Sequence, residues 1–161
     1  HRHVETWLRR HIPPDAHCFA TDITGGIGQL NVQGPRSREL LQSITSADLS
    51  NEAFPFRTSR EIDIGYARVQ CNRITYVGEL GWELHVPAES ALQVYRRLVA
   101  AGEKHGLVDA GYRAIESLRL EKGYRHWGSD IGPDDTPLEA GLGFGEWNIV
   151  QVNGHQRVAL S

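Results

Sequence analysis

The stretch Ile74–Pro87, ITYVGELGWELHVP, places acidic side chains among aromatic and aliphatic ones. A carboxylate in apolar surroundings is costly unless a donor or a cation pairs with it. Side chains alternate between the two faces of a strand, so Trp82 lies on one face and Glu83 and His85 lie on the other. With Tyr76 as an aromatic wall, Glu83 could accept two hydrogen bonds from adjacent N–H donors of a flat heterocycle. Alternatively, Glu83 is a solvent-facing residue of a half-exposed strand, and periodicity alone favours this alternative.

A second group of charged residues lies in the segment ESLRLEKGYRHWGSDI. Glu116, Arg119 and Lys122 stand three residues apart on a predicted helix. They are either salt links on a solvated face, worth a few tenths of a kcal/mol each, or a basic rim for a carboxylate-bearing tail. The composition of the segment is compatible with both interpretations.

The elements that must position these residues follow from hydrophobic periodicity and turn signals. Glycines at 25 and 26 predict a hairpin between two strands, and Ser90 predicts a helix cap for an apolar face formed by Leu92, Tyr95, Leu98 and Val99. Antiparallel strands with interspersed helices, without regular βαβ alternation, predict an α+β fold. The predicted helices cover residues 4–12, 91–105 and 113–122, with a short one after Pro35. The predicted strands cover 17–23, 27–34, 62–70, 74–77 and 82–86, and the end of the chain is predicted as one strand and a polar tail.

Composition excludes several classes of function. The chain has 161 residues and a net charge of −3, and its Lys and Arg residues are scattered, so neither nucleic acid nor an anionic membrane is a predicted partner. No hydrophobic run approaches the length that spans a membrane. Cys18 and Cys71 lack metal-type spacing and are predicted to be free buried thiols, and no metal site is predicted. The absence of Met and the opening residues HRHV predict a piece of a longer protein.

Five ordered blocks resemble a known family. These are LNVQGPRSRELL, ADLSNEAFPF, YVGELGWELHVP, ESLRLEKGYRHWGSDI and PLEAGLGF, and the resemblance runs over residues 28–144. They resemble the folate-binding aminomethyltransferase region shared by glycine-cleavage T-protein and the sarcosine and dimethylglycine dehydrogenases, and are most similar to the sarcosine dehydrogenases. The resemblance implies a partial T-protein-like folate-binding domain. Residues 1–50 would end its first subregion, 51–144 would form its second, and 145–161 would be a divergent tail.

The resemblance also implies site residues. The family pattern Tyr-x-Gly-Glu-x-Gly-x-Glu is matched by Tyr76, Gly78, Glu79, Gly81 and Glu83. In relatives the tyrosine and the last glutamate contact the pterin of tetrahydrofolate, which implies that role for Tyr76 and Glu83. Glu79 is then predicted to be a turn residue.

Departures from the family pattern leave other roles open. The aspartate that assists proton transfer in T-protein relatives corresponds to Val4, so no catalytic residue is assigned. An arginine of those relatives falls on Ile115, and Arg113 or Arg119 would substitute for it in binding folate. Val4 also keeps an alternative open, in which the region is a non-catalytic regulatory or scaffold module on the same fold.

The chemistry implied by the resemblance is one-carbon transfer. An iminium unit, made when a flavin oxidises an N-methyl amine, is captured by tetrahydrofolate to give 5,10-methylenetetrahydrofolate. The FAD would belong to an amino-terminal part of a full-length parent, outside these residues. Expected partners are folate and the amine-derived iminium, and the oligomeric state is not predicted. The expected location is the mitochondrial matrix, with bacterial cytoplasm as the alternative.

Overall fold

The computed structural model describes residues 2–142, 147–152 and 155–160. It divides the chain into two compact units, His1–Gly111 and Tyr112–Ser161. In the first unit the elements are α1 (Arg2–His11), β1 (Ile27–Gln33), α2 (Ser37–Gln42), β2 (Ser59–Ile64), β3 (Ala67–Asn72), β4 (Gly81–Pro87) and α3 (Ala88–Gly102), with 3₁₀ turns at Thr24–Gly26 and Glu103–His105. The second unit contains α4 (Tyr112–Glu121), β5 (Trp147–Val152) and β6 (His155–Leu160).

The first unit is built on an antiparallel four-stranded sheet with the order β1-β4-β3-β2. One face of the sheet is apolar because the pleat directs every second side chain to the same side. That face forms one core with residues of α2 and α3. The core includes Leu40 and Leu41 of α2, Ile62 and Ile64 of β2, Val69 and Cys71 of β3, Trp82, Leu84 and Val86 of β4, and Val94 and Leu98 of α3. The predicted α+β class, an antiparallel sheet with flanking helices, is confirmed.

The predicted hairpin at residues 25 and 26 is wrong. Residues 17–23 form no strand, Thr24–Gly26 is a 3₁₀ turn, and β1 pairs instead with the distant β4. Phe19, which would have anchored the first strand of the hairpin, is 79% exposed. A strand pattern without a surface that buries its apolar side chains does not form a strand in isolation.

Strand boundaries differ from prediction at three other places. The single strand predicted over residues 62–70 is two strands, because Gly65 takes the left-handed conformation (φ 64°) and turns the chain between β2 and β3. The strand predicted over 74–77 is a loop. The carboxyl-terminal part has two antiparallel strands, β5 and β6, instead of one strand and a tail. The strand predicted over 82–86 is confirmed as β4.

The buried stripe of helix α3 shares Leu98 with the predicted one and otherwise differs from it. The helix begins at Ala88, directly after Pro87, so Ser90 is not its cap. Its buried residues are Val94, Leu98 and Gly102, whereas Leu92 is 59% exposed. Two stripes satisfied helical periodicity in this sequence, and packing against the sheet selected the one with residues four apart.

In the described residues, no helix is both long and apolar enough to cross a bilayer.

The two glycines of the motif Gly78-Glu79-Leu80-Gly81 have different structural requirements. Gly78 has φ 71°, in the left-handed region that favours glycine. Gly81 opens β4 where β1 lies very close, and a Cβ built at Gly81 would lie 2.6 Å from the carbonyl oxygen of Val32. The first glycine is therefore needed for its backbone dihedral, and the second for the close approach of two strands.

Replacing these glycines with alanine tests this distinction. Gly81→Ala should lower the free energy of unfolding by about 1–3 kcal/mol, because the new methyl group pushes β1 away from β4. Gly78→Ala should cost about 1–2 kcal/mol from backbone strain. Gly25→Ala is the control, since a Cβ there meets nothing within 4 Å. Chemical denaturation would contradict the interpretation if Gly81→Ala were no less stable than Gly25→Ala.

Candidate functional site

The second face of the sheet is polar and carries the candidate site. Strand register places Asn31 of β1 and Asn72 of β3 on either side of Glu83 of β4. The next row contains Gln29, His85 and Gln70. Two rows of amide, carboxylate and imidazole groups therefore lie side by side, on the side of the sheet opposite Trp82 and Leu84.

Glu83 is sheltered, and no guanidinium of the described residues forms an ion pair with it. Its side chain is 21% exposed. The ion pair recorded for it among the described residues is with His85 Nε2, at 3.8 Å, which exceeds hydrogen-bond distance. His85 Nε2 is itself buried and has no hydrogen-bond partner in the described part of the chain. A sheltered carboxylate beside an unsatisfied imidazole nitrogen has unused capacity to bind a polar ligand.

Neighbouring groups on this face are already ordered. Gln29 Nε2 donates to Asn31 Oδ1 at 3.3 Å, and Gln70 Nε2 donates to Ser59 Oγ at 2.5 Å. The Ser59 hydroxyl in turn donates to Asn72 Oδ1. These bonds restrain the amide side chains around Glu83, as a preorganised binding surface requires. The contribution of these amides was missed at the sequence level, because strand register was not known.

Tyr76 lies half-buried in the loop of residues 73–80 that joins β3 to β4. The loop is fixed where it meets β4, because the carbonyl oxygen of Leu80 accepts from Gly34 N at 2.7 Å and from Ser37 Oγ at 3.0 Å. Within the loop, Thr75 Oγ1 donates to the carbonyl oxygen of Glu79 at 2.9 Å. Contacts of Tyr76 and Glu83 with a ligand, and the turn role of the Glu79 side chain, stay predictions.

The two arginines predicted to bind folate, Arg113 and Arg119, have different surroundings. Arg113 is exposed on α4, whereas Arg119 is 1% exposed. The Arg119 guanidinium bonds Glu116 and Asp130 and donates to the carbonyl oxygen of Tyr124 at 2.7 Å. The salt link between residues 116 and 119 therefore exists, but its arginine is buried, whereas the side chain of Glu116 is 32% exposed. These contacts tie α4 to the segment that follows it.

His126 extends this network. Its Nδ1 lies 3.2 Å from Glu116 Oε2, and its Nε2 lies 3.2 Å from the Tyr112 hydroxyl. The His126 backbone N–H donates to Asp130 Oδ2 at 2.8 Å. The hydrogen bond from Arg119 is the main cause that lowers the pKa of Glu116. The pKa of Asp130 is lowered mainly by the hydrogen bond from the His126 backbone N–H and, to a smaller extent, by the one from Arg119. Both carboxyl groups are therefore held in their charged form.

The remaining predictions concern Val4, Ile115, the two cysteines and a metal site. Val4, which was predicted to correspond to the relatives' aspartate, is 60% exposed on α1, and Ile115 is half-buried on α4. Cys71 is a buried free thiol as predicted, and burial raises its pKa to about 12, whereas Cys18 is exposed, contrary to prediction. In the described ranges no three potential ligand residues converge on a metal position.

Two surface depressions lie outside the polar sheet face. One follows the outer side of α3 from Glu89 to Ala100, and the other lies between the end of α1 and residues 18–20. Neither is lined by Tyr76 or Glu83. The candidate site is therefore an open face formed by a sheet, not one of these two depressions.

The fold and the polar face can now be compared with known proteins. The family model described as "GCVT N-terminal domain" matches residues 1–145, and the chain belongs to this family, within the aminomethyltransferase region that sarcosine and dimethylglycine dehydrogenases share. The predicted family is confirmed.

Three curated relatives illustrate the similarity. Mitochondrial sarcosine dehydrogenase of Mus musculus is 54% identical over 142 residues, which cover 88% of this chain and 15% of the relative. Mitochondrial dimethylglycine dehydrogenase of Mus musculus is 46% identical over 75% of this chain and 14% of its own length. An aminomethyltransferase of Caldanaerobacter subterraneus is 38% identical over 76% of this chain and 33% of its own length. The chain thus spans a small part of each relative.

The buried Arg119 network predicts a specific pH dependence. The folded-state pKa values of Glu116 and Asp130 lie below their ordinary values. Their stabilising contribution is therefore complete above those ordinary values, about 4, and is lost as the pH falls through the folded-state values. Arg119→Met should lower the melting temperature at pH 7, and the gap from wild type should narrow as the pH is lowered below about 4.

Arg113→Met is the matched control, because this arginine lies exposed on the same helix. Its melting temperature should follow that of the wild-type chain at every pH. A gap for Arg119→Met that stayed constant between pH 7 and pH 3 would show that the two carboxylates do not supply the stabilisation.

Proposed function

We propose that this chain is the tetrahydrofolate-binding portion of a sarcosine- or dimethylglycine-dehydrogenase-like enzyme. The enzyme transfers a one-carbon unit from an oxidised N-methyl amine to tetrahydrofolate, and the demethylated amine is released. Membership of the aminomethyltransferase family supports the reaction class. The observation that carries the proposal is the sheltered carboxylate of Glu83, flanked by Asn31 and Asn72 on an open polar face.

The donor set on this face suits the edge of a reduced pterin. Such an edge presents adjacent N–H groups, and a carboxylate can accept two hydrogen bonds in parallel from them. The amides of Asn31 and Asn72 supply both donors and acceptors for the remaining polar atoms of the ring. Tyr76, half-buried beside the strand that carries Glu83, supplies an aromatic surface for the ring in this proposal.

Tetrahydrofolate supplies the nucleophilic nitrogens that accept the one-carbon unit. The residues of this chain would hold the ring in one orientation, which replaces a bimolecular encounter with a positioned one. The polar face is open in this chain, so we propose that other parts of the enzyme cover it and exclude water, which limits loss of the iminium as formaldehyde. The oxidation itself is assigned to an FAD-binding part outside residues 1–161.

A carboxylate-bearing tail would need a cation. Arg113 and Arg119 were predicted to substitute for the relatives' arginine in binding folate, and of the two we propose Arg113. Its side chain is exposed, whereas the guanidinium of Arg119 is buried against Glu116 and Asp130. The similarity to mitochondrial sarcosine and dimethylglycine dehydrogenases supports a mitochondrial matrix location for the enzyme, with the bacterial cytoplasm as the alternative.

Titration of folinic acid against the full-length protein tests the pterin assignment. Glu83→Gln should weaken binding by about 1.5–3 kcal/mol, the range for a hydrogen bond to a charged group. Tyr76→Ala should weaken it by about 0.5–1.5 kcal/mol through loss of the ring contact. Glu61→Gln is the control, because Glu61 is exposed and paired with Arg68 on the same sheet. Unchanged affinity in both site variants would remove the assignment.

A second candidate function is a non-catalytic regulatory or scaffold module. It is favoured by Val4, which offers no ionisable group and which we predicted to correspond to the aspartate that assists proton transfer in T-protein relatives. This candidate predicts that folinic acid binds but that no methylenetetrahydrofolate forms when the full-length protein receives N-methyl amine and tetrahydrofolate. Accumulation of 5,10-methylenetetrahydrofolate, measured by its coupled reduction or by mass spectrometry, would reject the module and support the enzyme.

A further inference from the structure

Two arginines on the helix-covered side of the sheet converge on one neutral side chain. Arg38 of α2 donates from Nη2 to Asn51 Oδ1 at 2.7 Å, and Arg73, which follows β3, donates from Nη2 to the same oxygen at 2.6 Å. The two terminal nitrogens are therefore no further apart than the sum of these distances. Two positive charges at this separation repel each other, and an anion between them would offset that repulsion.

No carboxylate among the described residues forms an ion pair with either arginine. Their shared partner, Asn51, is exposed and uncharged. Burial, followed by the charge of Arg38, lowers the pKa of Arg73. Arg38 Nε is buried and has no hydrogen-bond acceptor in the described part of the chain. A buried guanidinium nitrogen without an acceptor is uncommon in folded proteins, and this donor is available to an anion.

Trp82 adds a second unsatisfied donor next to the arginines. The guanidinium carbons of Arg38 and Arg73 each lie 5.8 Å from the centroid of the Trp82 ring, within cation–π range. Trp82 is completely buried, yet within the described residues its Nε1–H finds no acceptor. A buried indole usually has a partner for its N–H group. The Trp82 indole thus lies beside both guanidinium groups.

The position of Arg73 is fixed by contacts that do not involve a ligand. Its backbone N–H donates to Thr58 O at 2.9 Å, and its carbonyl oxygen accepts from Arg57 N at 3.0 Å. Its Nη1 donates to Phe54 O at 2.5 Å, which leaves Nη2 directed to Asn51. The arrangement is therefore built before any ion arrives, which lowers the entropic cost of binding.

We propose that Arg38, Arg73 and Asn51 form a binding site for a small oxyanion, either a phosphate or a carboxylate. Guanidinium groups offer planar pairs of donors that match the oxygens of both ions. The site is separate from the proposed folate surface, because Trp82 and Glu83 are consecutive in β4 and therefore face opposite sides of the sheet. Binding at one surface does not require binding at the other.

Isothermal titration of the full-length protein with inorganic phosphate, at an ionic strength held constant with sodium chloride, tests the site. Wild-type protein should bind phosphate, and Arg38→Gln and Arg73→Gln should each weaken that binding by about ten-fold or more. Arg68→Gln is the matched control, because Arg68 is an exposed arginine paired with Glu61. A parallel titration with sodium acetate shows which oxyanion the site prefers, and binding of either ion supports it.

The remaining variants distinguish loss of phosphate binding from loss of folding and from effects on the folate surface. Arg38→Lys keeps the charge but removes the fork of donors, so phosphate binding should weaken even if a glutamine variant fails to fold. Glu83→Gln should bind phosphate as tightly as wild type, whatever its effect on folinic acid. The proposal is overturned if wild-type protein binds neither ion, or if Arg38→Lys and every folded glutamine variant bind phosphate with wild-type affinity.

Discussion

The alternation of side chains along β4 is the constraint on which the rest of the first unit depends. Trp82, Leu84 and Val86 enter the core beneath α2 and α3, which leaves Glu83 and His85 on the opposite side. A shift of one residue in the pairing of β4 would bury a carboxylate and expose an indole. Because β4 lies between β1 and β3, its register is fixed from both sides. The candidate folate surface and the arginine pair therefore have one structural cause.

The sequence alone predicted which side chains of β4 lie on its polar face, but it did not predict which residues of other strands lie beside Glu83. A period of two residues is a local property, and it placed Glu83 opposite Trp82 before any strand pairing was known. Asn31 and Asn72 flank Glu83 only because β4 pairs with the distant β1 on one side and with β3 on the other. The same non-local pairing explains the failed hairpin at residues 25 and 26. The glycines permit a turn there, but β1 pairs with β4 and not with residues 17–23.

Arginine roles were the least predictable part of the site. Helical spacing correctly indicated a contact between Glu116 and Arg119, but burial was decided by Asp130, which approaches from beyond the end of α4. Likewise, nothing in the local sequence around Arg38 or Arg73 indicates that the two share Asn51. Local charge patterns therefore identify candidate pairs, and only tertiary packing determines which cation is used to stabilise the fold and which one faces a ligand.

The strand order also dictates when this sheet can form as the chain is synthesised. β1 has no partner until β4 emerges, so Ile27–Gln33 must wait while residues 34–80 leave the ribosome. During that interval only β2 and β3, which are neighbours in sequence, can pair. Long-range strand pairing is slow, and until it occurs the unpaired backbone N–H and C=O groups of β1 can associate with other chains. Nascent chains arrested before Pro87 should therefore depend on chaperones more strongly than chains arrested after it.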